Sequence, residues 1–275
     1  IFGLWNTNES IDPLFLEFYD MISDNCWINY FTNPIARLDG KSNWGDIEAE
    51  ILHVIQTLTE KRELITRSGF DGTAMCKLNK KDKRFLAYFM ERVMKGWNED
   101  GGKVERKQQM DYWQQMKAIL RDDFSKLVRS LELYLDYFID FDKVNKSDIF
   151  DRITFDRLIS FNYTDTYHKL YSPCIFTDFI HGNVDSKRNK EKSNVVLGIE
   201  EFLGDNQKNK DVEFISYRKY YQRIVKYCDF SYRKQVNSRD APINTWFFGH
   251  SLSFSDKEIL INLLPCSAFV TQSVQ

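Results

Sequence analysis

The chain has 275 residues, 43% of them hydrophobic and 28% charged, a globular composition long enough to bury a core as one large domain or two modest ones. Twelve glycines and five prolines are few, which turns the expectation away from an all-β fold and towards helices. A net charge of −2 excludes whole-surface attraction to nucleic acid or membrane and leaves only local basic stretches to consider.

The five cysteines, Cys26, Cys76, Cys174, Cys228 and Cys266, form no CxxC pair, so no zinc site is expected and no metal with it. An odd, scattered set fits a reducing cytoplasm. No secretory signal is read, and no apolar run approaches the ~18 residues of a membrane span. A cytoplasmic protein that does not enter the membrane is expected. The chain opens at Ile1 rather than Met, which leaves room for residues upstream.

In chain order, "DPLFLEFYDMISDNCWINYF" at residues 12–31 predicts a helix entered through Asp12-Pro13, an N-cap followed by proline. "NWGDIEAEILHVIQTL" predicts another, with Ile47, Ile51, Val54, Ile55 and Leu58 at helical spacing. Residues 80–98 read as helical, with Phe85, Phe89 and Val93 on one face, and "NEDGGK" at 98–103 as a turn. The strongest helix covers 106–140. There Trp113, Met116, Leu120, Phe124, Leu127, Leu131, Leu135 and Phe138 step by three or four, a stripe best read as core packing.

The second half changes character. "DRLISFNYTDTYHKLY" carries an apolar run at Leu158–Phe161, a polar break, then a helical pattern through Tyr167 and Leu170. "CIFTDFIHGN" reads as a strand ending at His181-Gly182, and "NVVLGI" at 194–199 as a third. "TWFFGHSLSFSDKEILINLL" reads as a fourth strand, with Trp246–Phe248 its buried end, followed by a helix. Strands alternating with helices predict a parallel α/β sheet. "DSKRNKEKSN" reads as a solvated loop.

In an open α/β sheet, ligands bind beyond the carboxyl ends of the strands. Three predicted strand ends carry small or polar groups: Asn162-Tyr163-Thr164, His181-Gly182 and Gly249-His250-Ser251. In a parallel sheet these ends converge on one edge. An imidazole there titrates near neutrality and can act as a general base. Glycine lets a ligand approach the backbone, and Asn162 can both donate and accept hydrogen bonds. Each motif alone is an ordinary turn; their convergence carries the inference. Ser255 or Asp256 reads most simply as the N-cap of the last helix. Gly249-His250-Ser251 is not a GxSxG elbow, so a hydrolase triad is not expected.

"LISFNYTDTYHKLY", "FIHGN", "VVLGI", "YRKYYQRI" and "FFGHSLSFSDKEIL", in that order, together with "NCWINYF" and "NWGDIEAEI", resemble the bacterial abortive-infection AbiH family. The resemblance runs from about residue 14 to 262. It implies relation to the sirtuin-like fold, a Rossmann-type domain that binds NAD. In such proteins an Asn follows one strand, a His-Gly the next, and a Gly-x-Ser loop comes further on. By that resemblance His181 is the base at the nicotinamide ribose, and Asn162 orders the ribose or a water. Thr164, Gly182, Gly249, Ser251 and Asp256 belong to the nucleotide-binding loops, with His250 in support. The family typically opens on a strand and a glycine-rich "GNGFD"-like loop that would cradle phosphates. "SGFDGTA" at 68–74 echoes it, but the charged "EKRELITR" precedes it, so it reads as a loop. The family's loop either lies upstream of Ile1 or has been lost. The tail "PCSAFVTQSVQ" fits the family poorly.

The expectation is therefore an α/β, Rossmann-like (sirtuin-like) parallel sheet with a large helical insertion. Residues 1–150 form the mostly helical insertion or lid, and residues 151–275 the nucleotide-binding half, in one integrated domain. The resemblance implies an antiphage effector that binds and hydrolyses NAD or a related nucleotide, with a phage-derived trigger or partner protein and a homo-oligomer as candidate associations. Two other readings stay open. Residues 217–239 carry seven Lys/Arg against one Asp with five tyrosines interleaved, as a nucleic-acid-acting toxin would, although an amphipathic helix with inward tyrosines explains the same pattern. A non-enzymatic sensor would bind the nucleotide through the same loops without cleaving it.

Overall fold

The computed structural model describes residues 11–32, 45–68, 106–140, 143–171, 175–200, 212–228, 243–249, 256–263 and 267–269. The chain divides into two compact units. The first is Ile1–Tyr137 with Ser186–Glu191; the second is Phe138–Asp185 with Lys192–Gln275.

The described part of the first unit is helical: α1 (Pro13–Ile22), α2 (Cys26–Thr32), α3 (Gly45–Ser68) and α4 (Arg106–Leu133). Asp12 caps α1 by accepting from the Leu14 N–H at 2.8 Å, with proline in the first turn. The single helix expected over 12–31 is in fact two. Asp24 adopts a left-handed φ of 54°, and Asn25 starts α2 afresh by accepting from the N–H groups of Trp27 and Ile28 at 3.0 and 3.2 Å. The amide of Asn25 also donates to the Asp123 carbonyl at 2.8 Å, the Cys26 N–H donates to the Asp123 carboxylate at 2.9 Å, and the Trp27 indole donates to the Leu120 carbonyl at 2.9 Å. Polar bonds thus fix α2 on α4, while Trp113, Met116, Leu120, Phe124, Leu127 and Leu131 bury the expected stripe. The stripe does not continue to residue 140. A π-helical turn at Tyr134–Phe138 follows α4, and the extra residue per turn rotates Phe138 into solvent. The helix expected over 80–98, the turn at 98–103 and the "GFDGTA" segment lie outside the described residues.

The described part of the second unit contains α5 (Asp148–Asp151), β1 (Leu158–Ser160), α6 (Thr166–Leu170), β2 (Thr177–Phe179), α7 (Lys219–Val225), β3 (Ile243–Thr245), α8 (Lys257–Leu263) and β4 (Ser267–Phe269). β1 and β2 pair in parallel with Ser160 opposite Phe179, and β3 and β4 pair in parallel with Thr245 opposite Phe269. Each pair is joined through a helix, as parallel pairing requires. The single four-stranded Rossmann-like sheet is not what forms among the described residues: they hold two separate two-stranded sheets, and the fold is largely helical. Residues 194–199 run extended but contribute one isolated bridge, Ile199 to Arg218, instead of a ladder. β3 ends at Thr245, so Trp246–Phe248 lie beyond the strand, with Trp246 39% exposed. Phe248 instead joins an aromatic cluster, its ring 5.0 Å from Phe150 and 6.0 Å from Phe155. Ile180, Ile259 and Leu263 form a small core with Ile159 and Phe161, packing α8 on the β1–β2 pair.

Candidate functional site

The parallel register of β1 and β2 carries the chain out at the same edge. The Ile180 N–H donates to the Ser160 carbonyl at 2.9 Å, and one turn further the Val184 N–H donates to the Tyr163 carbonyl at 2.9 Å. Two of the three strand ends singled out in the sequence, Asn162–Thr164 and His181–Gly182, therefore lie side by side. Asn162 is exposed and its backbone is held in a tight exchange with the Ser160 hydroxyl. Thr164 pairs its hydroxyl with that of Thr166 at 2.9 Å, at the entry to α6.

His181 is buried, at 5% exposure. Its ring packs edge-on against Phe161 and tilted against Tyr163, with centroids 5.9 and 6.4 Å away. Its Nε2 meets the Asp256 carboxylate at 3.0 Å. A carboxylate accepts but does not donate, so this contact keeps the proton on Nε2 and leaves a lone pair on Nδ1. That Nδ1 is buried and has no hydrogen-bond partner among the described residues. Burial holds the imidazole's pKa below its ordinary value; the Asp256 bond works against the depression, and the charges of Lys219 and Arg223 add to it.

Asp256 directly precedes α8, and its carboxylate meets His181, 75 positions away in the chain. That contact brings the start of α8 to His181. Of the predicted residues between β3 and α8, Gly249 is exposed with a left-handed φ of 60° and open space where a Cβ would stand. His250 and Ser251 lie outside the described residues.

Gly182 has φ +76° and approaches the Asn194 backbone so closely that a Cβ would sit 2.0 Å from its carbonyl oxygen. Asn183 and Asn194 clamp the same junction, side chain to side chain at 3.0 Å and from the Asn183 N–H to the Asn194 amide oxygen at 3.1 Å. Gly182→Ala is expected to lower the unfolding free energy by ~2–3 kcal/mol, combining a left-handed backbone with a backbone clash, as urea titration would read.

The sequence missed the charged neighbours of His181. Lys219 and Arg223, each 3% exposed, stand four residues apart on α7, and Gln222 is buried beside them. Tyr220, Ile224, Val225 and Tyr227 are exposed instead. The helix is inverted: among the described tyrosines of this stretch, Tyr217 is buried and Tyr220, Tyr221 and Tyr227 are exposed, while Tyr232 lies outside the described residues. The spacing of Lys219 and Arg223 in "YRKYYQRI" was the available signal, but composition pointed the cations outward.

The buried imidazole makes a pH prediction. The unfolded chain protonates His181 near pH 6.5, while the folded protein resists it, so stability is full above that pH and falls as pH drops below it. The slope is about 1.4 kcal/mol per pH unit until the folded imidazole also takes a proton. Urea titrations between pH 7.5 and 5 are expected to show a shallower fall in His181→Gln than in the parent. The difference cancels His168. Burial works against its charge too, but bonds to the Ile175 carbonyl and Asp165 raise its pKa.

A parallel strand–helix–strand unit whose strand ends gather a buried histidine–aspartate pair defines the class of protein: an α/β element with a polar centre at the carboxyl edge. The family model described as bacteriophage abortive infection AbiH matches residues 12–271. The chain belongs to that family, and membership implies a role in phage abortive infection. The match reaches through most of the tail, where β4 forms. Neither curated proteins nor solved structures provide a match. Among the described residues no helix is long and apolar enough to cross a membrane, and no cluster of His, Cys, Asp or Glu is arranged to hold a metal.

Proposed function

We propose that this AbiH protein acts in abortive infection by binding a nicotinamide dinucleotide or related nucleotide and hydrolysing its N-glycosidic bond, on a sirtuin-like nucleotide-binding half. The observation that carries the reading is the unpartnered Nδ1 of His181, kept neutral by burial and tautomerically fixed by Asp256. The C1′–N bond breaks with its electron pair leaving on nicotinamide. Water attacks C1′ and passes a proton to Nδ1, from which it returns to solvent. Asn162, at the adjacent strand end, orders the ribose or the attacking water. Thr164, Gly182, Gly249, His250 and Ser251 supply the loops around the nucleotide. Loss of NAD then halts the infected cell.

Incubating the purified protein with NAD, alone and with lysate from phage-infected cells, is expected to release nicotinamide and ADP-ribose, read by chromatography. No release in either condition, with no shift in melting temperature on adding NAD, would overturn the reading. The burial of His181 favours a second reading, a sensor that binds the nucleotide without turnover; bound, uncleaved NAD would select it. The nucleic-acid reading loses support, because Arg218, Lys219 and Arg223 are buried and Lys226 donates to the Val195 carbonyl.

A further inference from the structure

The extended segment 195–199 lies between the end of β2 and α7. On one side the Val196 N–H donates to the His181 carbonyl at 2.8 Å. On the other, the Lys219 N–H donates to the Ile199 carbonyl at 2.9 Å and the Gln222 amide to the Leu197 carbonyl at 2.7 Å. These bonds fix the face of α7 that carries Lys219, Gln222 and Arg223 towards the interior near His181. Gly198 permits the approach: a Cβ there would stand 2.3 Å from the Tyr217 carbonyl oxygen and 2.8 Å from the Gln222 amide nitrogen.

Two atoms on this face are unanswered. Arg223 Nε and Gln222 Oε1 are buried without hydrogen-bond partners among the described residues. The only buried carboxylates among the second unit's described residues are Asp178, which pairs with Arg157, and Asp256, which holds His181. A buried guanidinium without a counter-charge is costly, and the geometry asks for an anion that the protein's own described side chains do not supply. A guanidinium matches phosphate oxygens in shape and charge, and the unmet acceptor of Gln222 suits a hydroxyl next to them.

We propose that the inward face of α7, centred on Arg223 with Lys219 beside it, binds the diphosphate of the nucleotide next to His181. The proposal rests on the nucleotide reading above for the identity of the ligand, but not for the anion site. The depression of the imidazole pKa by both cations supports their nearness to the ring.

Thermal shift and calorimetric titration with inorganic pyrophosphate, ADP-ribose, NAD and adenosine test it. The parent protein is expected to bind the first three and to be stabilised by them, with no response to adenosine. Arg223→Gln is expected to weaken pyrophosphate and ADP-ribose binding at least tenfold, while its unliganded melting temperature stays at or above the parent's. Arg223→Lys is expected to keep most of the binding. The site is overturned if the parent ignores pyrophosphate and ADP-ribose, if Arg223→Gln binds them within twofold of the parent, or if Arg223→Gln melts lower or does not fold, because an unanswered charge cannot be what holds the helix. If pyrophosphate binds through Arg223 but NAD and ADP-ribose do not, the anion site stands and the nucleotide reading falls. If Arg223→Gln binds and cleaves NAD as the parent does, the nucleotide reading stands and the site falls.

Discussion

Changing His181 to alanine is expected to slow nicotinamide release from NAD by about 10²–10⁴-fold, the range a positioned general base contributes, with little change in KM. Among the described residues at this strand end, Nδ1 of His181 is buried without a hydrogen-bond partner, and the Asp256 contact at Nε2 leaves its lone pair there. Asp256→Asn therefore tests the same idea with less disturbance of packing. An asparagine can turn its NH₂ group to Nε2, which moves the ring proton to Nδ1 and removes the base. A loss in kcat comparable to that of His181→Ala is expected, with near-native near-UV circular dichroism. A purely structural pair behaves differently: the two variants would melt at lower temperature and lose activity only in proportion to the unfolded fraction. If single-turnover rates of folded Asp256→Asn and His181→Ala equal the parent's, His181 is not the base. Asn162→Ala, at an exposed position, is expected to cost about tenfold, since it removes orientation and not the proton acceptor.

How much of this was legible differs from element to element. The buried stripe of α4 and the faces of Ile51, Val54, Ile55 and Leu58 on α3 follow directly from helical spacing, because an apolar stripe at that spacing turns one face of each helix into the core. The pairing of β1 with β2 was legible too, because a short helix between two apolar runs allows a parallel register. The single sheet was not. "NVVLGI" is apolar and β-branched, but its backbone groups go to His181, Tyr217 and α7 instead of to a strand partner. Apolarity reports burial without saying which hydrogen bonds a segment makes. Asp256 shows the same gap from another side. An acidic residue before a helix reads as a cap in sequence whether or not it also meets a histidine, and only the packing of α8 against Ile180 brings the His181 contact about. On α7 the polar pattern pointed the wrong way, because exposure of cations is a tendency that a charged centre in the interior can override.

Arg129→Met is expected to destabilise the first unit by about 3–5 kcal/mol, the cost of removing one partner from a buried ion pair. Arg129 is 1% exposed, and Glu132, one turn further along α4, is fully buried. The guanidinium meets Glu132 at 2.8 Å and the partly exposed Glu17 of α1 at 2.7 and 3.2 Å, and donates to the Ser186 carbonyl at 3.1 Å. It holds three pieces of chain together: α4, α1 and the short segment 186–191 that belongs to this unit. Methionine fills similar volume but removes the Arg129 charge from the buried Glu132 carboxylate, and the loss of that contact, more than lost packing, sets the size of the effect. The double variant Arg129→Met with Glu132→Leu separates the two contributions. It is expected to recover much of the loss, because a buried pair replaced by apolar groups is often neutral, while Glu17, 31% exposed, returns to water at little cost. Urea denaturation of the parent, single and double variants decides between these outcomes. If the single variant loses less than about 1 kcal/mol, as exposed pairs do, Glu132 is not held as a buried carboxylate. A double variant as unstable as the single one would instead assign Arg129 to packing and to its bond with Ser186.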